Sequence, residues 1–94
     1  MAAFFLFGKY TVEALNAVST ERTAAAASLV QELQGEITAM YALLGVHDVV
    51  IIVDMPNLEQ AMQASVALTR LTGISFTTSP AIEVDRFDKL VQGI

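Results

Sequence analysis

Five residues carry most of the reactive chemistry that this chain can bring to one place: Lys9, Tyr10, Tyr41, His47 and Asp48. His47 is the only histidine, and Asp48 follows it directly, ahead of the apolar run Val49 to Val53. A histidine held by a carboxylate acts as a general base with its orienter. Adjacent residues of a strand point to opposite faces, however, so His47 and Asp48 form no dyad on one face unless the strand bulges. A plainer reading competes. Gly45 suits a turn with φ > 0, Asp48 can bond turn amides, and His47 can sit at a sheet rim. The residue types favour this structural reading.

Other chemistries find less. One His, no Cys and scattered carboxylates do not supply the three or four clustered ligands of a metal site, so no metal is expected. A haem on a lone His47 would also need a shaped apolar pocket, and no cofactor is expected. No Gly-rich phosphate loop and no nucleophile motif is present, and no catalytic residue is assigned. The acidic stretch Glu83 to Asp88 reads as a solvated helix face.

These side chains must be positioned by a small body. Ninety-four residues make one domain, spanning 1–94. Its residues are 54% apolar and 16% charged, against about 45–50% and about 25% in typical domains. A domain this small buries a modest share of its surface, so the surplus implies a face covered by a partner. The net charge is −5 and no basic run exists. Nucleic acid and anionic membrane surfaces are therefore not expected as partners. The absence of cysteine fits a reducing compartment. The first ten residues lack a basic segment, and their apolar run is too short to span a bilayer. A soluble, cytoplasmic protein is the expectation.

Periodicity orders the elements. Ala2 to Gly8 is an aromatic-rich strand, and a helical turn follows near Val12. A helix capped by Ser19 or Thr20 runs to about Gln34, with Ala26, Leu29, Val30 and Leu33 on one face, and Gly35 stops it. Glu36 to Leu44 and His47 to Asp54 are strands. Asn57 caps a second helix with Gln60 three residues on. Leu58, Ala61, Met62, Ser65 and Leu68 line its inner face, and Gly73 ends it. Ile74 to Ser79 is the last strand, stopped by Pro80. A short amphipathic helix closes the chain with Val84, Phe87, Leu90 and Val91 on one side. The order β-α-β-β-α-β predicts an α+β, ferredoxin-like antiparallel sheet of order 4-1-3-2 with helices on one face.

That topology makes a statement about faces. The edge strands alternate. In the second, Ile37, Ala39, Tyr41 and Leu43 oppose Glu36, Thr38, Met40 and Ala42; in the fourth, Ile74 and Phe76 oppose Ser75, Thr77 and Ser79. The central strands do not alternate. Phe4 and Leu6 oppose Phe5 and Phe7, and Val49, Ile51 and Val53 oppose Val50 and Ile52, so both faces are apolar. The helices cover one. A second copy's sheet is the expected cover for the other, giving a homodimeric α/β barrel or a higher oligomer. Tyr41 is then core or interface with its hydroxyl partnered, or it lines a pocket at the barrel mouth.

The chain resembles the GYD-domain family, within the dimeric α/β-barrel, ferredoxin-like proteins. The resemblance rests on FFLFGKYT (Phe4 to Thr11), LVQELQGEITAMYALLG (Leu29 to Gly45) and GVHDVVIIVDMPN (Gly45 to Asn57). The family's name-giving Gly-any-Tyr-Asp stands here as Gly45-Val46-His47-Asp48, with His47 in the tyrosine's place. The resemblance implies a dimeric barrel and brings no settled activity with it. Two functions remain in view. One is a non-enzymatic dimeric module that binds an apolar small molecule in the barrel or a protein partner, or simply assembles. The other is a cofactor-independent monooxygenase- or isomerase-like enzyme for an apolar aromatic substrate in the barrel. Lys9, Tyr10, Tyr41, His47 and Asp48 are the candidate ligand-binding residues for either.

Overall fold

The computed structural model describes residues 1–94. Its elements are β1 (Ala2–Lys9), α1 (Val12–Asn16), α2 (Thr20–Glu32), β2 (Glu36–Ala42), β3 (Val49–Met55), α3 (Leu58–Thr72), β4 (Ser75–Ala81) and α4 (Val84–Val91). The four strands form one antiparallel sheet of order β2-β3-β1-β4, which is 4-1-3-2 read from the opposite edge.

Local chemistry sets the helix ends. The Ser19 side chain accepts from Arg22 N at 3.0 Å and starts α2. The Asn57 side chain accepts from Gln60 N at 2.9 Å, and Gln60 Nε2 donates to Leu33 O at 3.0 Å. One cap thus starts α3 and ties it to the end of α2; such caps contribute about 1 kcal/mol each. Gly73, with φ 76°, closes α3 as expected.

The end of α2 differs from the sequence reading. Gln34, not Gly35, takes the left-handed conformation, with φ 65°. Gly35 is needed for space, because a Cβ there would meet the Met55 side chain and lie 2.8 Å from Asp54 O.

One core lies between the helices and a single sheet face. Phe4, Leu6, Ile51, Val53 and Met55 point into it from the central strands, and Val30, Ala61, Ala64 and Leu68 meet them from α2 and α3. Of the expected face of α3, Ala61 and Leu68 are buried, and Ala64 joins them in place of Leu58, Met62 and Ser65. Small alanines let the helix sit close to the sheet, and the bulkier Leu58 and Met62 are left in solvent. In β4, Pro80 does not stop the strand but pairs with Phe4 inside it; an edge strand tolerates the missing N–H.

A bulge in β2 corrects the face assignment made from alternation. Ile37 pairs with Val53, but Ala39, not Thr38, pairs with Ile52. Thr38 is the extra residue, and its hydroxyl donates to Ile52 O at 3.2 Å. Beyond it, Met40 turns inward with Ile37, while Tyr41 joins Ala39 on the other side. Tyr41 is 59% exposed.

The sheet's second face carries Phe5, Phe7, Val50 and Ile52 at its centre. Phe5 lies between Ile52 and Ser79, and Phe7 between Val50 and Thr77. The helices α2 and α3 pack on the opposite face, against the core. The radius of gyration is 14.1 Å, above the roughly 12 Å of a compact domain of this length. The long axis is 48 Å, and α4, with no buried residue, contributes none of its apolar side to the core.

Candidate functional site at the rim of the sheet

The candidate residues sit where β1 ends and β3 begins. Gly8 makes this junction possible. It pairs with Val49 on one side and Phe76 on the other, and its carbonyl accepts from Asp48 N at 2.8 Å. Strand β3 begins at Val49, so His47 and Asp48 precede it rather than open it. The strict alternation expected of the pair does not apply to them.

Asp48 works as a staple. Its Oδ2 accepts from Tyr10 N at 2.9 Å and lies 3.6 Å from Lys9 Nζ, while its carbonyl accepts from Leu43 N at 2.8 Å. One residue thus joins the end of β1 to both arms of the β2–β3 loop. The charge-assisted bond to Tyr10 N is the stronger element. The Lys9 ammonium is largely exposed, so its ion pair contributes under about 1 kcal/mol. Gly45 does not adopt positive φ, and a Cβ there would meet nothing within 4 Å. The turn that Gly45 was expected to supply is held by Asp48 instead.

His47 engages a different partner. Its ring lies over Phe7, with centroids 5.0 Å apart and planes at 35°, and Phe7 in turn lies 6.1 Å from Phe5. Val50, which pairs with both Phe7 and Tyr41, links the tyrosine to this cluster. The five candidates therefore divide. His47 and Tyr41 belong to the aromatic open face, and Lys9, Asp48 and the Tyr10 backbone belong to the rim. No hydrogen bond joins His47 to Asp48. The partly buried Tyr10 side chain packs against the core.

A hollow of about 270 Å³ opens at the rim between Lys9, Tyr10, Leu15, Leu43, Leu44 and Asp48. That is near the roughly 300 Å³ lower end of small-ligand sites. Its apolar wall was not anticipated from the sequence; the signal was the Leu43-Leu44 pair immediately before Gly45, in a stretch read as strand. Under the helices, a void of about 50 Å³ touches Tyr10 and Arg22, room for about a water or two. Arg22 is committed to Ala14 O at 2.6 Å. No group of three His, Asp or Glu side chains converges to hold a metal.

The staple predicts a stability effect. Asp48→Ala leaves Tyr10 N without its acceptor and should cost about 1–3 kcal/mol, read as a lower urea midpoint with the dichroism of the folded protein unchanged. An unchanged midpoint would remove Asp48 from this role.

No curated protein is significantly similar to the chain in sequence. Among solved structures, the fold is similar to that of the Mycobacterium tuberculosis leucine response regulatory protein LrpA, with a TM-score of 0.58 at 8% identity. The match covers 87% of this chain and 51% of that one, so this chain spans about half of the regulator's length. No helix is long and apolar enough to cross a membrane. The GYD domain model matches residues 4–91, and the chain belongs to the GYD domain family.

Proposed function

We propose that this protein is a homodimeric module in which the open sheet faces of two copies pack together into an α/β barrel, with a small apolar ligand held at the barrel mouth. One observation carries the reading. Phe5, Phe7 and Ile52, half-buried around the buried Val50, form a contiguous apolar patch on the two central strands, on the face opposite the core that α2 and α3 cover. Monomers rarely leave such a patch in water. Light scattering on the protein eluting from a sizing column tests it: two chains for the native sequence, one for Ile52→Lys. The cysteine-free composition suits the reducing cytoplasm.

A cofactor-independent enzyme acting on an aromatic substrate is the second reading. In its favour, the His47 imidazole lies beside Phe7 at a strand end, at the mouth of the space two facing sheets would enclose. Against it, the imidazole has no carboxylate orienter, since Asp48 is spent on Tyr10 N and Lys9. The expected result for His47→Ala is loss of ligand binding or turnover with stability reduced by no more than about 1 kcal/mol, the value of one aromatic contact. A drop in stability with no effect on any bound ligand would end the functional role of His47.

A further inference from the structure

Two features meet in the rim hollow between the end of β1, α1 and the β2–β3 loop. The first is an apolar wall. Val12, Leu15 and Leu44 are exposed, Leu43 joins them around the hollow, and none of the four belongs to the core. The second is a pair of opposite charges with bonding capacity to spare. Lys9 Nζ stands 3.6 Å from Asp48 Oδ2, longer than a direct charge-assisted hydrogen bond of about 2.8 Å, and it donates to no other acceptor in the chain. Asp48 Oδ2 already accepts from Tyr10 N, which leaves Oδ1 without a donor. Thr11, also in the lining, has its hydroxyl oxygen committed to Ala14 N at 3.0 Å.

We infer that this hollow binds a small zwitterion with an apolar body, of the class of a free aliphatic α-amino acid. The charges set the class. Lys9 and Asp48 together are neutral. A lone carboxylate gains Lys9 but meets Asp48, and a lone amine gains Asp48 but meets Lys9, so singly charged ligands are disfavoured. An α-amino acid carries both charges on one carbon, close enough to lie crosswise against the pair, its carboxylate on Lys9 and its ammonium on Asp48. The wall sets the body. Leucine and valine side chains offer aliphatic contact and no hydrogen-bonding group, so an aliphatic side chain is accepted there and a polar one is not. A volume of about 270 Å³ suits one small molecule. Apolar contact supplies the affinity, and the charge pair supplies orientation and selection.

The inference goes beyond the homodimer proposed above, because every lining residue comes from one chain and the site is complete without a second copy.

Titration of L-isoleucine into isotope-labelled protein, followed through the amide resonances, tests it. Binding with a dissociation constant of about 1 mM or lower should move the amides of Lys9 to Leu15 and of Leu43 to Asp48. N-acetyl-isoleucine and isoleucinamide each carry one charge and should bind about tenfold more weakly or worse. Lys9 is largely exposed and Leu44 fully so, so Lys9→Met and Leu44→Ser should fold as the native chain does and still lose isoleucine affinity, about tenfold for the first. No movement up to about 10 mM isoleucine, equal binding of either singly charged derivative, or unchanged affinity in Lys9→Met would each overturn the inference. The same titration on Ile52→Lys separates it from the dimer. Binding retained by an Ile52→Lys monomer supports a site within one chain. Binding lost in that variant alone would overturn the single-chain site and leave the dimer standing. A native monomer that binds isoleucine would overturn the dimer and support the site.

Discussion

Ile52→Lys is expected to yield a folded monomer, whereas Ile51→Lys, one residue away, is expected not to fold. The two isoleucines are neighbours in β3 and face opposite sides of the sheet. Ile51 is 4% exposed and lies in the core with Leu6 and Val53. A lysine there would be an unpaired charge in an apolar interior, at several kcal/mol, against a total stability of about 5–15 kcal/mol. Ile52 lies on the uncovered face beside Phe5 and Ala39. A lysine there is solvated in the single chain and harmful only when a second sheet covers it. In a two-fold interface each copy brings one such charge. At about 3 kcal/mol per desolvated lysine, the dissociation constant would rise about four orders of magnitude. Sedimentation equilibrium and far-ultraviolet dichroism on both variants check the pair. A dimeric Ile52→Lys protein would remove the sheet face from the interface.

Gly8→Ala should lower the melting temperature by about 5–15 °C, from a cost of about 1–2 kcal/mol in a domain this size. The added methyl would stand 2.6 Å from Val49 Cγ1, 2.7 Å from Ile74 Cγ2 and 2.8 Å from Phe76 Cε1. Val and Ile are stiff at χ1 and cannot swing clear cheaply. Elsewhere in a strand, alanine gains about 0.5–1 kcal/mol over glycine through backbone entropy; here the clash outweighs that gain. Relief would come by displacing β3 from β1, which also strains the bond from Asp48 N to Gly8 O. Scanning calorimetry measures the shift, and an unchanged or raised melting temperature would contradict this packing.

The central strands were readable because apolar side chains on both faces leave a mark in one dimension. FFLF and VVIIV abandon alternation, and no pairing knowledge is needed to see it. The caps were equally local: Ser19 and Asn57 act within three residues of themselves. The β2 bulge was not readable. Simple alternation along EITAMYA puts Tyr41 on the Ile37 face, and only pairing against β3 makes Thr38 the extra residue and moves Tyr41 away from Ile37. The α3 face was ambiguous for a similar reason. Ala61 and Leu68 lie on the face that spacing predicts, but so do Leu58, Met62 and Ser65, and the close approach of helix to sheet selects the small Ala64 beside the first two. At the rim, the composition of the site was visible but its division was not. A strand start two residues later than expected frees His47 to lie on Phe7 while Asp48 ties back to Tyr10.

Native mass spectrometry of the freshly purified protein decides whether two copies assemble. A species of twice the 10.1 kDa chain mass is expected, with any retained apolar ligand visible as added mass and its loss in His47→Ala marking where it binds. A soluble species of one chain at micromolar concentration would contradict the claim, because the half-buried Phe5, Phe7 and Ile52 around Val50 would then be a stable surface in water.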